Sequence, residues 1–228
     1  MSLGEIRLPP IITIDGPSGA GKGTLSQLLA KHLQWHFLDS GALYRLTALC
    51  AENHGIAFDL AQDLATIAAH LDIEFDVNTG RVLLEADDVT SRLRTEQTGA
   101  VASRVAAFPE VRKALIARQR AFRREPGLVA DGRDMGTVIF PDATLKIFLT
   151  ASAEERAKRR YEQLEASGQW VDFNSVLADV QARDERDQNR SHSPLIPAAD
   201  AHILDSTHLN IEEVLEAVLG LWPEHKNQ

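Results

Sequence analysis

An α/β fold, with a parallel sheet covered by helices on both faces, is what the sequence predicts, and three observations carry that prediction. Short apolar runs recur along the chain: Ile11-Ile12-Thr13-Ile14-Asp15, Gly127-Leu128-Val129-Ala130-Asp131, Leu145-Lys146-Ile147-Phe148-Leu149 and His202-Ile203-Leu204-Asp205. The first three read as buried strands, and the fourth as a last strand. Between them, apolar residues return at helical spacing, as at Leu25, Leu28, Leu29 and Leu33. Strands alternating with helices imply a parallel sheet. A glycine-rich stretch lies where the first strand gives way to the first helix, which is where a strand–turn–helix unit turns.

Taken in order, the first strand leads through the glycines to the helix containing Leu25. Residues 35–38 form a second strand candidate, followed by the turn Asp39-Ser40-Gly41 and a helix over about 42–53. From about Gly55 to Glu96 the pattern changes. A helix over 60–71 precedes Ile73-Glu74-Phe75-Asp76-Val77, which alternates apolar and polar residues as a half-exposed strand does. Asn78-Thr79-Gly80 is a turn, and 81–85 returns as a strand, so the segment reads as a small antiparallel insertion. Helices resume over 95–106 and, after Pro109, to Arg124. Two more, 153–166 and 173–189, flank the turn Ser167-Gly168, and a last one covers 211–222.

The chain has 228 residues, enough for one domain with an insertion. Its 24 Lys and Arg against 33 Asp and Glu give a net charge of −9, which argues against a general nucleic-acid binder. Any anion site is therefore a local concentration of positive charge. The single cysteine, Cys50, excludes an intrachain disulfide and any cysteine-based zinc cluster, and its apolar neighbours read it as a buried small hydrophobe. His32 and His36 are four apart, but Trp35 and the approaching strand end the helix between them, so a zinc pair is not expected. Residues 1–10 carry no long apolar run and no stretch is long enough to span a bilayer, so the expected address is the cytoplasm.

The glycine-rich stretch reads Gly16-Pro17-Ser18-Gly19-Ala20-Gly21-Lys22-Gly23-Thr24. Glycines let successive backbone N–H groups turn inward toward phosphate oxygens, and the following helix adds its N-terminal partial charge. Lys22 can reach the β- and γ-phosphates. This is a P-loop, and all nine residues are candidate ATP contacts. The common pattern places Ser or Thr directly after the lysine. Here Gly23 intervenes, a form that resembles the nucleoside monophosphate kinases, and Thr24 becomes the candidate Mg²⁺ ligand.

Asp131 ends a buried strand and is followed by Gly132-Arg133-Asp134-Met135-Gly136. Ligands of open α/β sheets bind outside the carboxyl ends of the strands, so these residues should face the loop. Asp131 can orient metal-bound water or a substrate hydroxyl; a turn or helix-capping aspartate is the plainer alternative. Arg156, Arg159 and Arg160 share one helix face, and Arg183, Arg186, Asp187 and Arg190 share another. Solvated faces paired with Glu154, Glu155, Glu162, Asp179 and Asp184 would explain both. Beside a P-loop, however, such helices suit a lid that closes over phosphates and excludes water.

Over 11–222 the chain resembles the bacterial cytidylate kinases. The resemblance rests on the P-loop, on Leu38-Asp39-Ser40-Gly41-Ala42-Leu43-Tyr44-Arg45, and on the stretch from Ala102-Ser103-Arg104 to Pro109-Glu110-Val111-Arg112. It continues in Ala130-Asp131-Gly132-Arg133-Asp134-Met135-Gly136-Thr137, Arg183-Asp184-Glu185-Arg186-Asp187-Gln188-Asn189-Arg190, Pro197-Ala198-Ala199-Asp200 and Asp205-Ser206-Thr207. It implies transfer of the γ-phosphoryl of ATP, with Mg²⁺, to CMP or dCMP. It also implies a P-loop core over 1–54, 97–155 and 191–228, a monophosphate-binding insertion over 55–96 and a lid over 156–190.

By the same resemblance, Ser103, Arg112 and Asp134 would contact cytosine, and Arg45, Arg133 and Arg190 would hold the acceptor phosphate. Tyr44, Arg183 and Asp187 would lie near the sugar, Ser40 and Gly41 would form the acceptor-site turn, and Asp131 would join the CMP site. The catalytic set is Lys22, Asp131, Arg133, Arg160, Arg186 and Arg190. A monomer is expected, with no nucleic-acid or membrane partner and no tightly bound organic cofactor. A small-metabolite or adenylate kinase would carry the same loop without the combination of Asp134, Arg112 and Ser103, and a nucleotide-gated regulatory protein would turn over ATP independently of any nucleoside monophosphate.

Overall fold

The computed structural model describes residues 8–76, 81–190 and 192–222. Five strands form the central sheet: β1 (Ile11–Asp15), β2 (His36–Asp39), β6 (Leu128–Gly132), β7 (Leu145–Thr150) and β8 (His202–Asp205), in the order β2-β6-β1-β7-β8. β1 pairs in parallel with β6, from Ile11 opposite Leu128 to Asp15 opposite Gly132, and on its other side with β7. β7 pairs in parallel with β8. β2 and β6 thus lie on one side of β1, and β7 and β8 on the other, and the crevice at such a switch point is where α/β sheets bind ligands. Asp15 and Asp131 both stand at this edge, because Ile14 lies opposite Asp131.

Helices α1 (Lys22–Leu33) and α9 (Ile211–Leu221) cover one face of the sheet. Leu25 and Leu29 of α1 and Val214 and Val218 of α9 join Ile12, Ile14, Val129, Ile147 and Leu149 in one buried core. Trp222 closes it edge-to-face on Trp35, with ring centroids 5.1 Å apart. Asn210 and Glu213 form a capping box that fixes where α9 starts. Helices α7 (Ala153–Ala166) and α8 (Phe173–Gln188) form an antiparallel pair with a small core of its own, Ala157, Leu164, Val176 and Val180.

These elements belong to one compact unit, Met1–Leu38 with Phe122–Gln228; Asp39–Ala121 forms a second. The second unit holds α2 (Ser40–Asn53), α3 (Ala61–Ala69), α4 (Thr90–Leu93), α5 (Glu96–Val105) and α6 (Pro109–Arg120). It also holds a three-stranded antiparallel sheet of β3 (Ile73–Asp76), β4 (Arg81–Leu84) and β5 (Asp87–Asp88). Leu43, Leu46, Leu64, Leu84, Val105, Val111 and Leu115 are fully buried. The Asp39 carboxylate caps α2 by accepting from the Ala42 N–H at 3.0 Å.

The expected helices and strands are present, with ends displaced by a few residues. Val77 and the turn Asn78-Thr79-Gly80 lie outside the described residues, as do residues 1–7. Three elements were not anticipated, the four-residue helix α4 being the first. β5 follows a two-residue turn at Glu85 and Ala86, whose φ angles of 53° and 69° suit a type I′ hairpin without the glycine or asparagine that usually announces one. Met135–Ile139 forms a π-helical turn. Both carboxylate oxygens of Asp15 accept from it, taking the Met135 and Gly136 N–H groups at 2.8 Å each. A partner 120 residues away in sequence leaves no local signal.

Candidate active site

The P-loop turns where its glycines permit. Gly16, at φ 148°, has no room for a side chain: a Cβ there would lie 1.9 Å from the Leu149 carbonyl oxygen. Gly19 and Gly21 adopt φ of 80° and 91°, and Gly21 is the residue from which α1 starts. Lys22 is buried, and its Nζ donates to the Pro17 carbonyl at 2.9 Å, so the ammonium folds back into the mouth of its own loop. Asp131 Oδ1 lies 4.0 Å away. Burial, and then the nearby Arg133 guanidinium, lower the lysine to about 8, against the attraction of Asp131, Asp187 and Asp15. An anion in the loop would favour the protonated form of this lysine against its burial.

A second buried centre lies on Asp187 of α8, which is 1% exposed. Its Oδ2 accepts from Arg133 Nε at 2.7 Å and its Oδ1 from Arg190 Nη2. Burial would raise this carboxyl, yet the Arg133 and Arg190 guanidiniums hold it below its ordinary value. Asp187 thereby aligns two of the predicted acceptor-phosphate arginines. Asp134, next to Arg133, is 3% exposed. Asp15 was missed by sequence reasoning. It is buried beside this cluster, and burial raises it to about 6 although two N–H donors favour its charged form. The available signal was the one that marked Asp131: an acid ending an apolar strand at the ligand edge.

The arginine helices divide into different tasks. Arg156 is buried and makes a bidentate pair with Asp184, at 2.9 and 2.5 Å, while Nη1 also donates to the Ser18 carbonyl at 3.0 Å. It ties α7, α8 and the P-loop together. Arg159 pairs with Glu155 and donates to the Ser206 carbonyl at 2.6 Å. Arg160 donates to Gln163 Oε1 at 3.1 Å, and Arg186 to the Ala182 carbonyl at 3.1 Å. Arg183 Nη1 donates to Ser18 Oγ at 3.1 Å. The plainer alternative of acid-paired arginines describes Arg159 with Glu155, whereas Arg156 pairs with Asp184 in a buried setting and Arg183 donates to the loop.

In the second unit, Arg112 of α6 is buried, with its guanidinium 5.7 Å from the Tyr44 ring centroid, and Nη1 donates to the Ala106 carbonyl at 3.2 Å. Arg45 Nη1 donates to the Leu93 and Thr95 carbonyls at 2.8 and 3.3 Å. Ser103 Oγ is buried with no hydrogen-bond partner among the described residues. Ser40 is buried and Gly41 exposed in the first turn of α2. His36 sits in β2, its Nε2 2.8 Å from the Glu125 carbonyl, while His32 belongs to α1.

The residues present fit a magnesium ion, a hard cation that takes carboxylate and hydroxyl oxygens and keeps several waters. A Cβ at Gly23 would lie 3.4 Å from Asp131 Oδ2, which puts that carboxylate beside the segment carrying the exposed Thr24 hydroxyl. No helix among the described residues is long and apolar enough to cross a membrane.

A family model described as Cytidylate kinase matches residues 12–224. The cytidylate kinase of Pseudomonas fluorescens (strain Pf-5) is 60% identical over 215 residues, covering 92% of this chain and 94% of that protein. That of Sodalis glossinidius is 56% identical over 215 residues, covering 93% and 95%. That of Pseudomonas aeruginosa (strain UCBPP-PA14) is 59% identical over 214 residues, covering 92% and 93%. Among solved structures, a gluconokinase from Sinorhizobium meliloti 1021 aligns over 94% of this chain and 91% of its own, at a TM-score of 0.47 and 15% identity. This chain belongs to the cytidylate kinase family, and with it is an ATP-dependent kinase of CMP.

Proposed function

We propose that the protein transfers the γ-phosphoryl group of MgATP to CMP and also to dCMP, releasing ADP. The observation that carries this reading is the P-loop with its buried Lys22 beside Asp131 and the arginines gathered on Asp187. Residues 16–24 would hold the triphosphate, with Lys22 on the β- and γ-phosphates. Thr24 and Asp131 would hold Mg²⁺, which when bound neutralises charge on the phosphate oxygens. Arg133 and Arg190, kept in place by Asp187, would aim the acceptor phosphate together with Arg45. Arg160 and Arg186 would act from a lid over 156–190, with the core over 1–54, 97–155 and 191–228. Phosphoryl transfer runs on alignment and charge stabilisation, so no side chain needs to act as an obligatory general base.

Ser103, Arg112 and Asp134 would read the base, and Ser40, Gly41, Tyr44, Arg183 and Asp187 would seat the rest of the nucleotide, with 55–96 as the acceptor-binding insertion. The buried Ser103 hydroxyl supports this, since an unpaired polar atom costs free energy that a ligand partner removes. Cytosine presents an amine donor beside the N3 and O2 acceptors, so a carboxylate accepts from the amine and an arginine donates to the acceptors. Uracil reverses the first two polarities, and each mispaired group costs about 1–3 kcal/mol. Asp134→Asn should therefore weaken CMP use and narrow its advantage over UMP by about tenfold or more. Unchanged CMP and UMP kinetics in this variant would remove Asp134 from base recognition. We place the protein in the cytoplasm as a monomer, with no nucleic-acid or membrane partner.

A further inference from the structure

Cys50, His54 and Glu85 form a cluster in the second unit that the kinase reading does not use. Cys50 and His54 are four residues apart at the C-terminal end of α2, so both project from one side of it. Glu85 comes from the turn between β4 and β5. Its carboxylate oxygen Oε1 lies 2.6 Å from His54 Nε2 and 3.7 Å from Cys50 Sγ, and one ligand atom from each residue falls within 4.8 Å of the others. We propose that these three side chains bind a divalent transition-metal ion of the zinc class, leaving one coordination position for water.

The donor set is chemically coherent. One thiolate, one imidazole and one carboxylate match zinc's preference for sulfur, nitrogen and oxygen, and three protein ligands with one open position form an accessible zinc site. The spacing is also close to what an ion requires. Zinc–sulfur bonds of about 2.3 Å and zinc–oxygen bonds of about 2.1 Å at a tetrahedral angle place S and O about 3.6 Å apart, near the 3.7 Å found. The shorter His54–Glu85 separation is that of a hydrogen bond, and an entering ion would widen it by several tenths of an ångström. His54 and Glu85 are exposed while Cys50 is buried beneath them, so an ion enters from solvent and meets the sulfur last.

The surroundings favour a fixed carboxylate. Glu85 adopts φ 53°, a left-handed conformation unusual for this residue type, and its backbone N–H donates to the Asp72 carbonyl at 2.9 Å. Asn53 favours the charged form of Glu85 and accepts from Arg92 Nη1 at 3.1 Å, while Arg92 Nη2 reaches Glu52 at 2.8 Å. Such outer partners orient metal ligands. Burial and the adjacent Glu85 charge push the Cys50 thiol up to about 11, so the free protein holds the proton. On binding, the S–H bond breaks, a metal–sulfur bond forms and the proton leaves to solvent. A single cysteine rules out zinc clusters built from several; it does not rule out this mixed set.

Titration of the full nucleotide-free chain with Co²⁺ tests the proposal, because a cobalt–thiolate bond gives a charge-transfer absorption that carboxylate and imidazole ligands do not. The expected result is that band at one equivalent, its displacement by Zn²⁺, and its loss in Cys50→Ser. His54→Ala changes an exposed side chain, so folding persists while Co²⁺ affinity falls at least tenfold. Absence of the band in the unsubstituted chain, its persistence in Cys50→Ser, or unchanged affinity in His54→Ala would each overturn the proposal.

Discussion

Asp15 shows how one residue joins fold to site. Its carboxylate ends β1 and holds the N–H groups of Met135 and Gly136, which fixes the segment carrying Arg133 and Asp134. Burial raises it from 3.8 to about 6. Between those values the folded chain binds a proton that the unfolded chain has released, so this group's contribution to stability is full below pH 3.8 and declines as pH rises through 6. The decline amounts to about 3 kcal/mol. Asp15→Asn cannot titrate. Its stability relative to the unsubstituted protein, followed by urea unfolding, should improve by roughly that amount between pH 4 and 7. A difference that stays constant over this range would show that Asp15 is not raised. Lys22→Ala should lower kcat by about 10²-fold or more while shifting CMP affinity little; steady-state kinetics with near-normal kcat would deny Lys22 its role.

Arg156 acts at the scale of elements, as one side chain on which α7, α8 and the P-loop converge through Asp184 and the Ser18 carbonyl. Arg156→Met would leave Asp184 without its partner. Removing one member of a buried pair costs about 3–5 kcal/mol, so the melting temperature should fall by about 10 °C. Calorimetry showing a change of only a degree or two would mean that water replaces the pair freely. Helices were readable here because their apolar spacing and caps are local, as at Asp39, Ser152 and Asn210. The β5 hairpin was not, because Glu85 and Ala86 take positive φ without glycine or asparagine to signal it. The π-helical turn was hidden for a different reason, since the carboxylate that holds it comes from β1.

For the molecule as a whole, the alternation of apolar strands with helices made the α/β class legible, and the glycines of 16–23 located the ligand edge. Strand order was not legible, because Ile11–Asp15 and Leu145–Thr150 are equally apolar and nothing local says which neighbours which. The candidate site was readable as a list of residues. What the list lacked was the organisation: Asp187 as the anchor of Arg133 and Arg190, Arg156 as a structural tie, and Asp15 as a clamp. The account stands on one claim, that a P-loop donor site serves a cytosine-specific acceptor. ADP release measured with MgATP and a panel of CMP, dCMP, UMP, AMP and shikimate tests it most directly. The account predicts rapid ADP formation with CMP and dCMP, and at least tenfold less with UMP. Equal rates with CMP and UMP, or ATP turnover that needs no acceptor, would contradict it.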